Sequence, residues 1–488
     1  LSDEFRNQRE ISLLAKMSSL TVLDCTSLEV TDSVASAISN LGSLTSLDLS
    51  NADLSQTSLS CFEKLAHMRE LNLTWSLGIN DTMEAGLEFL RAMQELHTLH
   101  LNVTEITNAG LHDVAHAREL RILTLTDCME PTESGLGALT PLTKLEVLRL
   151  PFDLTDVGLV AISNLVSLRE LQLSKQVTNA GLWAMAKFAQ LHTLDLSECP
   201  ITDEAMPALK GMRMLRKLDL SSTRITDSGL DACGSLPFLE KLDMSGCGAV
   251  VGHGLKHFIT LRTLDVGYCA KLKVVPHIAL KKLNMKASQS VRVEDLCAMP
   301  LIELDWSWGH RALPDLMAVG SLAQLEILNL SYSGATDAGL SALNALKRLK
   351  SLDLSMCPDL TDRGLSQLSA LTSLQKLNLS ECRITGQSLS DLVHLPLRIL
   401  ELSKGSVTRE GVHAASFLTS LTYLDLEGIL LSRQNVEDLA KLPNLRWINL
   451  LMCGFACERA MFPGVSVRLQ IHDAHAWFRS QKERMSLI

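Results

Sequence analysis

Residues 215–230 read Leu215-Arg216-Lys217-Leu218-Asp219-Leu220-Ser221-Ser222-Thr223-Arg224-Ile225-Thr226-Asp227-Ser228-Gly229-Leu230. Leu218 and Leu220 alternate with polar residues at period two, so both point to one side of a short strand. Ile225 closes a turn, and Thr226-Asp227 stands where a helix N-cap belongs, facing backbone N–H groups that need acceptors. Gly229-Leu230 then opens a helix. A strand and a helix of this size cannot bury their own apolar faces, so each such unit needs another beside it.

The chain supplies those units from end to end. The frame L-x-x-L-x-L recurs cleanly at Leu44-Leu47-Leu49, Leu96-Leu99-Leu101, Leu325-Leu328-Leu330 and Leu421-Leu424-Leu426. With Met, Val, Ile, Cys or Trp allowed at one position there are nineteen copies, from Leu20-Leu23-Cys25 to Leu445-Ile448-Leu450, spaced by about 24 residues. The turn signature returns at Leu360-Thr361-Asp362-Arg363-Gly364-Leu365 and, with Asn for Asp, at Ile106-Thr107-Asn108-Ala109-Gly110-Leu111. Stacking predicts a parallel sheet on an inner, concave surface with helices outside. The 488 residues are then one repeat array rather than the three domains that length alone suggests.

This frame resembles the leucine-rich repeat. Seven repeats also place a cysteine three residues beyond the last strand leucine, at Cys128, Cys199, Cys247, Cys269, Cys357, Cys382 and Cys453. With the I-T-D-x-G-L turn, this resembles the cysteine-containing class of leucine-rich repeats, best known from F-box substrate receptors of ubiquitin ligases. The resemblance runs from about Leu20 to Leu450. It implies an α/β leucine-rich-repeat solenoid of about nineteen repeats and brings in ubiquitin-ligase substrate recognition as one possible task. From the residues themselves, a small inward thiol fills the turn and bonds weakly to nearby backbone. No C-x-x-C pair is present to suggest a metal site.

The expected organisation is a helical cap at 1–19, a regular arm at 20–260, short irregular repeats at 261–310, a second regular arm at 311–464, and a closing strand and tail at 465–488. The irregular stretch rests on repeat spacings of 22, 19, 21 and 24 residues from Leu239 to Leu325, and on Lys273-Val274-Val275-Pro276, which reads as extended.

Composition narrows the function classes. Net charge is −10, so a nucleic-acid partner is not expected, because phosphate binding needs a basic surface. No apolar run approaches the roughly 20 residues of a membrane span. The first 24 residues hold no cysteine and open on the polar Leu1-Ser2-Asp3-Glu4-Phe5-Arg6, so an intracellular, cytoplasmic setting is expected. The N-x-S/T triplets at Asn72, Asn80, Asn102, Asn329 and Asn378 point mildly the other way. No phosphate-loop, dinucleotide, zincin or nucleophile-elbow motif occurs. The i, i+4 pairs His112/His116 and His253/His257 bring no third ligand, so neither catalysis nor a cofactor or metal is expected.

Candidate contact residues come from columns that repeat down the sheet. The position after the first frame residue is mainly basic, at Arg69, Arg121, Arg169, Arg216, Arg262, Lys281, Lys350, Arg398 and Arg446. The position between the last two frame residues is acidic, at Asp195, Asp219, Asp243, Asp265, Asp305, Asp353, Glu401 and Asp425. The two columns are expected to compensate each other's charge. A sparse aromatic column lies two residues past the frame, at Trp75, Phe152, Tyr268, Trp308 and Tyr332; Tyr423 and Trp447 share an inner-face column. Trp, Tyr and Arg are the usual interface anchors. Tyr423, Arg446 and Trp447 therefore form the first candidate cluster, and Tyr268, Trp308, His310 and Arg311 the second. The expected function is a non-catalytic scaffold or adaptor that binds one or more proteins through its concave face, within a larger complex. Its alternatives are a ubiquitin-ligase substrate receptor and a surface or secreted recognition receptor.

Overall fold

A computed structural model describes residues 14, 16–76, 87–128, 131–149, 155–234, 236–288, 290–291, 296–297, 299–309, 319–454 and 461–468. The chain divides into two compact units, Leu1–Lys271 and Leu272–Ile488. Each is built from the same repeat.

In the first unit eleven three-residue strands, from Val22–Asp24 to Thr263–Asp265, lie parallel. In the second, nine run from Lys282–Asn284 to Ser466–Arg468. Nineteen of these twenty strands fall on the nineteen sequence frames, and the last is the closing strand. Register is set by the leucines. The central residue of each strand faces its counterpart, as in Leu47↔Leu71, Leu194↔Leu218 and Leu352↔Leu377. All of these leucines are buried. A slip of one residue would turn every one of them to solvent. The residues flanking the central one in most strands are exposed or half-buried and carry the acidic column, and the basic column lies one residue before each strand.

Short helices return the chain on the other layer, for example Asp156–Ile162, Asp227–Cys233 and Asp362–Gln367. In each of these the predicted Thr caps the helix: Thr155, Thr226 and Thr361 accept from the backbone N–H two residues on. The Asp beside it does something the sequence did not suggest, reaching into the next repeat. Asp203 accepts from the Thr226 N–H at 2.7 Å, and Asp337 from the Thr361 N–H at 2.8 Å. Asp362 accepts from three N–H groups, those of Thr385, Gly386 and Ser388.

The glycine of the motif follows from this contact. A Cβ on Gly229 would overlap the Asp203 carboxylate, and one on Gly364 would overlap Asp337. Its role is close approach between repeats rather than helix initiation. Gly364→Ala should therefore destabilise the protein by about 2 kcal/mol, against a helix-propensity gain of about 1 kcal/mol. Urea titration of the purified chain checks the sign, and a gain in stability would show that the inter-repeat contact is dispensable.

The seven cysteines behave as packing thiols. All seven are buried. Each Sγ–H donates to a carbonyl of the preceding repeat at 3.0–3.4 Å: Cys128 to Leu101, Cys199 to Ser174, Cys247 to Leu220, Cys269 to Met244, Cys357 to Leu330, Cys382 to Leu354 and Cys453 to Leu426. Burial pushes the Cys269 and Cys382 thiols up to about 12, which leaves no thiolate to react. Native alkylation should accordingly reach the half-exposed Cys61 and Cys297 and spare the nine buried cysteines until denaturant is added. Peptide mass mapping reads this directly, and fast modification of Cys382 would contradict the packing.

Residues 272–281 contain no helix or strand. At the ends, Leu14 is buried in a helical turn, residues 16–19 are not helical, and the rest of the expected N-terminal cap lies outside the described residues. So do Leu469 to Ile471, Trp477 and Phe478. Three of the described glycosylation triplets have their asparagines locked in place. Asn72, Asn329 and Asn378 each donate from the side-chain amide to the aspartate on the neighbouring strand, Asp48, Asp305 and Asp353, at 3.0 Å.

Candidate functional site

The acidic column is not a free surface. Asp195, Asp219, Asp243, Asp265, Asp305, Asp353 and Asp425 each accept the backbone N–H two residues on, at 2.9–3.1 Å. These bonds turn the chain out of the strand. Among the described residues no ion pair joins the basic column to it, contrary to the charge compensation expected. Arg69, Arg121 and Arg216 bond instead to Glu95, Glu146 and Glu240, and Lys350 to Glu326. Glu401 is the exception in the acidic column, lying 3.7 Å from Lys376. Burial pushes the Asp219 carboxyl up, reinforced by Asp243 and Asp195 and opposed by its bonds from Ser221.

The position two residues past the frame has a backbone cause that the sequence did not reveal. Trp75, Tyr268, Trp308 and Tyr332 all have φ between 54° and 63°, the left-handed region, as do Glu198, Met356 and Lys404 in other repeats. Such residues carry strain. Each of several recovers a backbone bond to the next repeat in return: the Trp308 N–H donates to Ser331 and the Tyr332 N–H to Ser355. The conformation throws the side chain outward. Trp75 is 61% exposed, Tyr268 53% and Trp308 42%. Trp308 is braced on two sides, with the Tyr332 ring centroid at 5.2 Å and Lys286 Nζ 5.2 Å above its ring. Trp306, by contrast, is buried and donates its indole N–H to Ser288. Phe152, His310 and Arg311 lie outside the described residues.

The other candidate cluster opens a larger feature. Tyr423 and Trp447 pair across adjacent strands, their rings parallel within 3° and 4.4 Å apart. The sequence placed both on an exposed face. Trp447 is half-buried, but Tyr423 is only 6% exposed, because Trp447 covers one side of its ring and Ile399 is its strand neighbour on the other. Tyr423 is thus the floor of the site, and its removal would cost stability as well as contact.

Beside this stack, within the second unit, lies a groove of about 970 Å³ on the solvent face of the sheet. Its floor is the column Ile327, Ser351, Lys376, Ile399 and Tyr423. Its wall is the column Glu326, Lys350, Gln375, Arg398, Thr422 and Arg446. The charged lining is Lys350, Lys376, Arg398 and Arg446 against Glu326 alone, so the groove is basic on a chain of net charge −10. Lys350 is held by Glu326 at 2.7 Å. The Arg398 and Arg446 side chains are exposed and have no acidic partner among the described residues. The sequence listed both arginines in one column. Arg262 and Lys281 of that column likewise have no acidic partner among the described residues, but they do not line this groove.

The profile described as Leucine Rich repeat matches residues 190–210, 211–232 and 347–369, and a second such profile matches 373–395. The fold is that of the leucine-rich repeat. No curated protein matches the chain. Among solved structures, a leucine-rich-repeat protein of Leptospira interrogans is 18% identical with a TM-score of 0.49, covering 90% of this chain and 97% of its own. The leucine-rich-repeat ectodomain of a plant membrane receptor kinase from Arabidopsis thaliana is 14% identical with a TM-score of 0.41, covering 90% and 68%. Neither likeness extends to function. Within the leucine-rich repeats, no group of three or more potential metal ligands is present among the described residues, and His116 and His257 are bonded to His112 O and Asp231. No described helix is long and apolar enough to cross a membrane.

Proposed function

We propose that this chain is a non-catalytic scaffold or adaptor that binds a partner protein through the basic groove of its second unit. Leucine-rich repeats commonly serve protein–protein interaction, and that use fits a chain whose motifs contain no catalytic constellation. The observation that carries the reading is a concave feature on an otherwise regular sheet, lined by two arginines without acidic partners and floored by isoleucine and tyrosine. Arginine and aromatic residues are the side chains that most often dominate binding energy at such sites. Trp308 and Tyr332 are a secondary contact surface of the second unit in this reading, Tyr268 a separate contact of the first, and the acidic column serves the fold.

The test compares partner sets. The tagged chain, recovered gently from its own cells, is set against Arg398→Glu/Arg446→Glu and against Arg363→Glu/Arg409→Glu, an equal charge change on exposed helix residues. Quantitative mass spectrometry should show one or more proteins lost from the groove variant and kept by the helix variant. Identical sets from all three would reject the groove. Cullin-type adaptors among the proteins lost would turn the scaffold reading into ligase substrate recognition.

A further inference from the structure

We infer that the groove's occupant is an extended, acidic peptide segment of the partner, with alternate side chains acidic and aliphatic. This rests on the groove being the protein-binding site and names what it takes. The chemistry follows from the two columns. Arg398 and Arg446 stand two strands apart on the wall, with Lys350 further along it and Lys376 on the floor beside them. Strands are spaced by about 4.8 Å, so the arginine Cα atoms are about 10 Å apart, between the roughly 7 and 13 Å that separate same-face residues two and four apart in an extended chain, a difference the long guanidinium side chains take up. A guanidinium without a partner binds a carboxylate in a forked, charge-assisted pair. Along the floor two aliphatic side chains reach the surface, Ile327, 38% exposed, and Ile399, half-buried, with Ser351 and Lys376 between them. A peptide alternating acidic and aliphatic residues presents carboxylates to the wall and apolar side chains to the floor.

A nucleic-acid strand meets the basic wall equally well but not the floor. Bases need open ring faces to stack on. Tyr423 has one face covered by Trp447 and is almost fully buried, and Ile327 and Ile399 have no π face. The chain's net charge of −10 adds repulsion along a polyanion.

Three fluorescein-labelled probes distinguish the possibilities by anisotropy with the full chain. They are a peptide of about eight residues alternating glutamate and leucine, long enough to span the groove, the same peptide with lysine for glutamate, and an oligodeoxythymidylate of equal charge. The glutamate–leucine peptide should bind, the lysine peptide should not, and the oligonucleotide should bind at least about tenfold more weakly. Arg398→Glu/Arg446→Glu should weaken the first by about thirtyfold, and alanine for leucine in the peptide by about tenfold. Both arginines are exposed, so the variant keeps its fold, which circular dichroism verifies. Equal affinity for the oligonucleotide, or peptide binding indifferent to the arginine changes, overturns the inference. If either occurs while the same variant still loses its cellular partner, the binding site stands and only the identity of its occupant is wrong.

Discussion

Arg398→Glu with Arg446→Glu should weaken capture of the natural partner by about a hundredfold while leaving the thermal unfolding midpoint within about a degree of the parent. The two effects separate because these arginines contribute little to the fold. Neither guanidinium has an acidic partner among the described residues, and both side chains project from the wall of the groove. An exposed charge of this kind contributes about 0–1 kcal/mol to stability. Toward an acidic ligand it counts twice, since reversal removes an attraction and installs a repulsion. At about 1.5 kcal/mol for each site, the pair gives about 3 kcal/mol, or roughly a hundredfold. Affinity of the purified partner for both proteins measures it, and the loss should shrink as salt rises.

Asp362→Ala should have the largest effect on stability, at about 3 kcal/mol. Its carboxylate is the acceptor for the N–H groups of Thr385, Gly386 and Ser388, and it also accepts from the Thr385 hydroxyl. Those donors are buried or half-buried at the turn of the next repeat, and bonds to a charged acceptor are worth about 1.5–3 kcal/mol each before the turn relaxes. Asp362→Asn, which keeps one carbonyl acceptor, should recover part of the loss. Burial alone would raise the pKa of Asp362, but the donated hydrogen bonds outweigh it and hold the carboxyl below the usual range. A depressed folded value means the contribution is full above the unfolded pKa of about 3.8 and fades as pH falls through the folded one. The stability gap between parent and Asp362→Ala should therefore narrow only in acid. A constant gap across that window would mean the charge of Asp362 plays no part.

How much of this was legible beforehand depends on whether a residue's role lies within its own repeat. The L-x-x-L-x-L frame was legible because period-two burial is local, and all nineteen copies lie on strands. Thr226 was legible as a cap for the same reason. Asp227 was not, because its partners Val251, Gly252 and Gly254 belong to the following repeat. The acidic column looked like surface charge, yet the Asp353 carboxylate serves the Ser355 N–H and the Asn378 amide at once. Arg446 and Trp447 were visible as members of columns. The groove was not, because it depends on which neighbours in those columns lack compensation. The left-handed backbone of Trp308 and Tyr332 was hidden too, since nothing in an aromatic residue announces positive φ. Spacing within a repeat thus predicted the scaffold, and contacts between repeats decided the site.

The most direct test of the groove places a photo-crosslinking residue at Ser351, in the middle of its floor, and in a separate protein at Arg409 on the helix layer. Irradiated with the captured partner, the Ser351 protein should yield a single covalent adduct, displaced by excess uncrosslinked chain, and the Arg409 protein none. Crosslinking from Arg409 with none from Ser351 would place the partner on the other layer and contradict the account.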